Sequence, residues 1–259
     1  MKHSQILIAT IASLLPASTL AAIYLGWTIP NVPSAGFQNI SFPFDISQAP
    51  HKDGWYFAQQ FKFIGQDYVG YTGLQPRLDD NDQPIIHAVF SSFIPGTTVR
   101  DANCWDSADG GPGAACSLDF PGDYDHGYTL EIANTGGSMT WTGTVVDTTT
   151  NKKLHVGTYT LPEGTQGIQG DEGGFVEYYE LEPDSEHCDE LPYTSVTFGN
   201  PFTPTEEGSL EDAYENPGAF CTDEQDFKSS KSKAGVQVEA GFKTQRGVIS
   251  YLFNQQMDH

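Results

Sequence analysis

The chain has 259 residues, and its 34 Asp and Glu face only 12 Lys and Arg, a formal net charge of -22. That balance excludes a nucleic-acid binder, which needs a basic footprint, and speaks against an anionic membrane surface. It favours solubility, cation binding or a neutral partner such as a glycan, although an acidic shell suited to an acidic or salty exterior accounts for most of it.

Lys2 and His3 precede an apolar run at 6–15, and small residues follow from Ala17 to Ala22. This is the layout of a secretory signal peptide over residues 1–21, cut after Ala21 or Ala22. The run is too short for a membrane anchor, which needs about 20 apolar residues, and Pro16 interrupts it. The expected product is a secreted, extracellular protein. Residues 22–259 suit one β domain, with 182–259 as its disulfide-tied C-terminal part.

Gly and Pro, 27 and 16 copies, punctuate the chain at short intervals. Between them lie segments rich in β-branched and aromatic residues, the pattern of an all-β chain. Residues 22–50 read as an edge strand or an arm. In 55–63, Trp55, Phe57, Phe61 and Phe63 share one parity and Tyr56, Ala58, Gln60 and Lys62 the other, which predicts a half-buried strand. Strands follow at 69–75 and 85–93. Segments 128–133 and 139–147 flank the turn Asn134-Thr135-Gly136-Gly137 as a hairpin. Segment 154–161 extends it to a meander, and 175–181, 193–198, 236–242 and 248–253 complete about ten strands. One helical turn is expected at 210–214. The fold class is an antiparallel β-sandwich, jelly-roll or lectin-like.

Two stretches read as loops, 100–127 and 182–227. The four cysteines of an exported chain point to disulfides. Three connectivities are possible, and Cys104–Cys116 with Cys188–Cys221 is favoured because each closes a local loop.

The loop at 100–127 offers Asp106, Asp109, Asp123 and Asp125 as oxygen ligands for calcium, against the plainer role of Asp and Gly in turns. Trp105 and Tyr124 border it, and among so many Asp and Gly they are the aromatics least suited to a core. They could stack on a sugar while Asp123, Gln75 and Glu177 take its hydroxyls. Glu177 could also serve in a carboxylate pair for glycoside hydrolysis, although 34 acids produce such spacings by chance. No G-x-S-x-G, H-E-x-x-H or phosphate loop is present. His87 and His155 fall in predicted strands and read as structural. His126 sits in polar company.

The series Tyr71-Thr-Gly-Leu-Gln75-Pro, His87-Ala-Val-Phe90-Ser-Ser-Phe93, Asp109-Gly-Gly-Pro-Gly113 and Gly127-Tyr-Thr-Leu-Glu-Ile resembles a family of secreted bacterial and fungal proteins with a lectin-like domain of unknown function. Phe93 stands where that pattern has Trp. The resemblance spans Trp55 to Tyr179. It implies a lectin-like sandwich and singles out Tyr71, Gln75 and the Gly-rich loop as the face of interest, but implies no catalytic residue.

The leading expectation is a carbohydrate-binding protein, calcium-assisted, whose partner is a glycan or cell-wall polysaccharide. A glycan-cleaving enzyme using Glu177 is the second, and a secreted effector without a small ligand the third.

Overall fold

Short segments with period-two apolarity cannot bury a face alone, so they pair into sheets and press two apolar faces together. The computed structural model describes residues 23–180, 188–217, 219 and 221–243. The predicted leader and the predicted strand at 248–253 lie outside the described residues.

Among the described residues the strands are, in chain order, β1 (Ile23–Thr28), β2 (Asn39–Asp45), β3 (Trp55–Lys62), β4 (Val69–Pro76), β5 (Ile85–Ser92), β6 (Thr98–Val99), β7 (Cys104–Trp105), β8 (Ala114–Pro121) and β9 (Gly127–Asn134). There follow β10 (Thr140–Asp147), β11 (Lys153–Thr160), β12 (Asp171–Tyr178), β13 (Thr194–Gly199), β14 (Ser209–Leu210), β15 (Tyr214–Glu215), β16 (Lys228–Lys231) and β17 (Gly235–Ala240). A nine-stranded sheet runs β14-β1-β12-β3-β4-β5-β8-β7, with β15 also on β1. An eight-stranded sheet runs β16-β17-β13-β2-β9-β10-β11-β6. The pairings between these strands are antiparallel, as expected for the sandwich.

Three expectations change. Residues 22–50 are no arm: β1 lies between β12 and β14, and β2 between β13 and β9. The expected loop at 100–127 contains β7 and the eight-residue β8. The expected helical turn at 210–214 is replaced by β14 and β15, which both pair with β1.

Aromatic contacts clamp the sheets together. Trp27 meets Phe42 at 5.3 Å, Phe63 meets Trp141 at 4.8 Å, and Phe90 stacks on Tyr159 at 4.3 Å. Such pairs add about 0.5–1.5 kcal/mol each beyond the apolar area they bury. Both favoured disulfides are present. Cys104 and Cys116 are directly opposed on β7 and β8, and their sulfurs rest on Gly157, where any Cβ would collide with them. One residue breaks the apolar inner face. Gln59 shares the inward parity of Phe57 and Phe61, is 0% exposed, and neither of its amide heavy atoms has a partner among the described residues.

Candidate functional site on the outer face of the nine-stranded sheet

Directly opposed residues of antiparallel strands project to the same side, so register decides which side chains meet. On the side of the nine-stranded sheet away from the core, one row holds Glu177 opposite Tyr56 and His87 between Gln75 and Asp119. Gln75 lies one step beyond the Phe57–Leu74 pair and so stands opposite Tyr56. The next row is a floor: Tyr24, Phe175, Ala58, Gly73 and Val89 face one another in turn. A third row places Gln60, Tyr71, Ser91, Ala115 and Trp105 in sequence.

This face has its own apolar cluster, separate from the inter-sheet core. Tyr56, Ala58 and Phe175 are buried, with Tyr24, Tyr71 and Val89 packed on them. Phe175 takes Tyr56 edge-on at 5.4 Å and Tyr71 at 5.3 Å. Gly73 makes this possible, because a Cβ there would strike the Tyr56 ring and the β3 backbone. The Tyr56 hydroxyl is buried and has no partner among the described residues. Burial pushes this phenol well above its ordinary range, and it pushes Tyr71 up to about 12.

The carboxyls follow the same logic. Burial, and then the charge of Asp109, raise Glu177 to about 7. Asp109 sits at a left-handed position (φ 47°) in the turn between β7 and β8, where the Gly111 N–H donates to the Ala108 carbonyl at 2.8 Å. The opposed cysteines at the base of this turn hold it in place. Asp109 is exposed by surface area, yet crowding against the sheet raises its own carboxyl too. Its charge also reaches Tyr56 and Tyr71, so the turn stands beside this face.

Arg77 organises the neighbouring groups. Its Nη2 donates to Gln75 Oε1 at 2.6 Å, its Nη1 donates to the Tyr179 hydroxyl at 2.9 Å, and its Nε lies 3.3 Å from Asp53. With its carbonyl oxygen held, Gln75 keeps its amide N–H groups for something else. His87 Nδ1 lies 2.7 Å from Asp119, and burial nevertheless lowers the imidazole.

The structure brings Gln75, Tyr71 and Glu177 onto one face, with Trp105 at its edge, 51% exposed. Asp109 joins them as the charged neighbour of Glu177, and Asp106 is exposed on the same turn. Tyr124 is different from expectation: it is 4% exposed. Its hydroxyl accepts from the Arg77 N–H at 3.0 Å and donates to the Ile85 carbonyl at 2.9 Å. It is a strut, closed to a stacking sugar.

Asp123 and Asp125 lie in the turn before β9, apart from Asp106 and Asp109 on the turn before β8. There the Asp123 carboxylate accepts the Asp125 N–H at 3.0 Å, and its carbonyl accepts the Tyr128 hydroxyl at 2.9 Å. Both aspartates shape a turn. Among the described residues, no three His, Cys, Asp or Glu side chains converge as a metal site. His126 is taken by Asp147 at 2.9 Å. Sequence reasoning missed Tyr56, Arg77 and His87. The even parity of β3 was the one available signal.

No protein-family model matches the chain, and no curated protein matches it in sequence. Among solved structures, scytalido-glutamic peptidase with a transition state analog inhibitor is 15% identical, covering 87% of this chain and 98% of the other, with a TM-score of 0.43. The same peptidase with a peptide-based transition state analog is 13% identical, covering 87% and 100%, with a TM-score of 0.44. The CBM2 module of the Lactobacillus casei BL23 phage J-1 evolved Dit is 13% identical over 60% and 69%, with a TM-score of 0.27.

Proposed function

We propose that this chain is an exported glycan-acting protein whose working face is the outer side of the nine-stranded sheet, with Glu177 as proton donor and Asp109 as second carboxyl in glycoside hydrolysis. The observation that carries the reading is the placement of Glu177. It is half-buried opposite Tyr56, whose phenol has no partner among the described residues, in one row with the oriented amide of Gln75. Two carboxyls with different environments suit an acid and a base.

In the step, protonated Glu177 gives its proton to the glycosidic oxygen as the C–O bond breaks. Asp109 takes a proton from the water whose oxygen bonds to the sugar carbon. One water is consumed, two sugar hydroxyls result, and Asp109 gives its proton to solvent as solvent returns one to Glu177. The Gln75 amide donates to a sugar hydroxyl. The two disulfides suit the oxidising exterior to which the leader would direct the chain.

A second reading is lectin-like binding without cleavage, calcium-assisted as the sequence suggests. The exposed indole of Trp105 favours it.

The test is release of reducing ends from a panel of polysaccharides by the mature protein. Glu177→Gln is expected to lower the rate about a thousandfold, within the range for a lost general acid. Activity needs Glu177 protonated, so it falls as pH rises through about 7. Equal cleavage by the variant overturns the hydrolytic assignment. Retained binding without cleavage, lost on chelation, selects the second reading.

A further inference from the structure

We infer that the ligand is an extended, uncharged glycan lying across the strands, gripped near its two ends by Tyr214 and Trp105. This rests on the reading above and adds the ligand's direction, length and charge class.

The two rings stand on opposite margins of the same face. Tyr214 pairs with Tyr24 at the β1 margin, and Trp105 pairs with Ala115 at the β8 margin. They are 53% and 51% exposed, large aromatic surfaces left in water. Seven strand-to-strand steps separate β15 from β7, which at a spacing of about 4.8 Å makes a span of about 34 Å. Rings also bridge much of the interval: Tyr214 to Tyr24 at 6.3 Å, Tyr24 to Phe175 at 6.3 Å, and Phe175 to Tyr71 at 5.3 Å. The relay therefore runs perpendicular to the strands.

A second observation points to a ligand in the middle of that path. The Tyr56 hydroxyl, on a residue 8% exposed, has no partner among the described residues. Buried polar groups are ordinarily paired, and an orphan costs about 1–3 kcal/mol. A ligand hydroxyl would satisfy it.

Chemistry selects the ligand class. Sugar rings offer apolar faces to aromatics and hydroxyls to carboxyls and amides. A bound extended peptide ordinarily adds to a free sheet edge, whereas the six strands from β1 to β8 along this path, over which the ligand would lie, have neighbours on both sides. The acids Glu177 and Asp109 occupy the face, the Glu211 carboxylate lies where a Gly26 side chain would stand, and the chain carries a net charge of -22. These charges repel anionic polymers.

The experiment is calorimetric titration of the mature protein with uncharged oligosaccharides, cello- and chito-series from two to about eight units, with oligogalacturonate as the anionic control and an extended acetylated peptide as competitor. Affinity is expected to climb with length and then level off. Trp105→Ala and Tyr214→Ala should each weaken the longest ligand at least tenfold, leave the shortest unchanged and leave the melting temperature unmoved. Trp105→Phe should restore most of the loss.

Length-independent affinity, or variants that bind the longest ligand as the parent does, overturns the end-grip while short-chain, Glu177-dependent action stands. Capture of the anionic series instead overturns the uncharged class, and failure of every glycan at every length, or capture of the peptide instead, overturns the glycan reading itself.

Discussion

The two sheets share one core and turn different outer faces to the surroundings. On the eight-stranded sheet, β9, β10 and β11 carry a ladder of threonines. Thr140 meets Thr160 at 3.0 Å, Thr142 meets Thr158 at 3.0 Å, and Thr135 meets Thr142 at 3.1 Å, with Lys153 on Glu131 at 2.9 Å. Each of these groups has a short-range partner, and water can serve the rest of that face. On the nine-stranded sheet the corresponding face buries Tyr56 and Phe175, leaves a phenol without a partner among the described residues, and raises the Glu177 carboxyl far above its ordinary range. One face is finished by its own contacts, and the other is left incomplete at a cost in stability, a common trade at working sites.

The comparison breaks most visibly at Phe175. Phe175→Ala removes the ring that Tyr56 and Tyr71 both meet edge-on, and should cost about 3–5 kcal/mol, the range for a buried Phe. Thr142→Ala on the other face should cost under about 1 kcal/mol. Equal losses in denaturant titrations of the two variants would mean that the outer cluster around Phe175 is no second core.

Glu177→Gln comes next, and its sign is the reverse. A carboxyl raised to about 7 in the folded state binds its proton more tightly there than in the unfolded chain. Stability is therefore lost as pH rises from about 4.5 to 7. At about 1.4 kcal/mol per unit over a rise from 4.5 to about 7, the substitution should stabilise by about 3 kcal/mol above pH 7 and by almost nothing below pH 4. Glu131→Gln, which only loosens a surface pair with Lys153, should change stability by less than about 1 kcal/mol at either pH. Melting curves across that interval decide it.

Tyr56→Phe should be neutral or stabilising by about 1 kcal/mol, since it deletes an orphan hydroxyl and keeps the ring. It should nonetheless weaken glycan binding. A loss of stability instead would show that the hydroxyl has a structural partner.

The smallest effect concerns the pair His126–Asp147 beside the threonine face. Hydrogen bonding to Asp147 outweighs burial and raises His126, so the pair's contribution is present below pH 6.5 and fades as pH climbs through the higher folded value. Although burial pushes Asp147 up, the N–H groups of Thr150 and Thr149 together with His126 hold it at about 2. That contribution is present above pH 4 and fades toward pH 2. Asp147→Asn should lower stability most between pH 4 and pH 6.5 and by almost nothing at pH 2, flattening the acid side of the profile, read by melting from pH 2 to pH 8.

How much of this was legible follows from what each residue needed. The parity of Trp55, Phe57, Phe61 and Phe63 announced β3, and the Asn134–Gly137 turn announced the β9–β10 hairpin, because period and turn chemistry are local. β8 was hidden: Ala114-Ala115-Cys116-Ser117 lacks the bulky β-branched residues that mark a strand, and the sheet on both sides imposes its conformation. Gln59 also defied its pattern, being a polar residue in the inward series of β3. Glu177, Gln75 and Tyr71 could be picked out as candidates. That Asp109 modulates Glu177, that Arg77 orients Gln75, and that Tyr124 is an internal strut all depend on contacts across strands far apart in sequence.

The position of β1 has a consequence for how the molecule is made. Ile23 pairs with Val176 and Tyr24 with Tyr214. The first described strand thus waits until most of the polypeptide has appeared before either neighbour exists. Long-range pairing of this kind slows folding and keeps early intermediates open. Under the proposal that the chain is exported, that delay would keep its first described strand with nothing to close upon until the other end arrives.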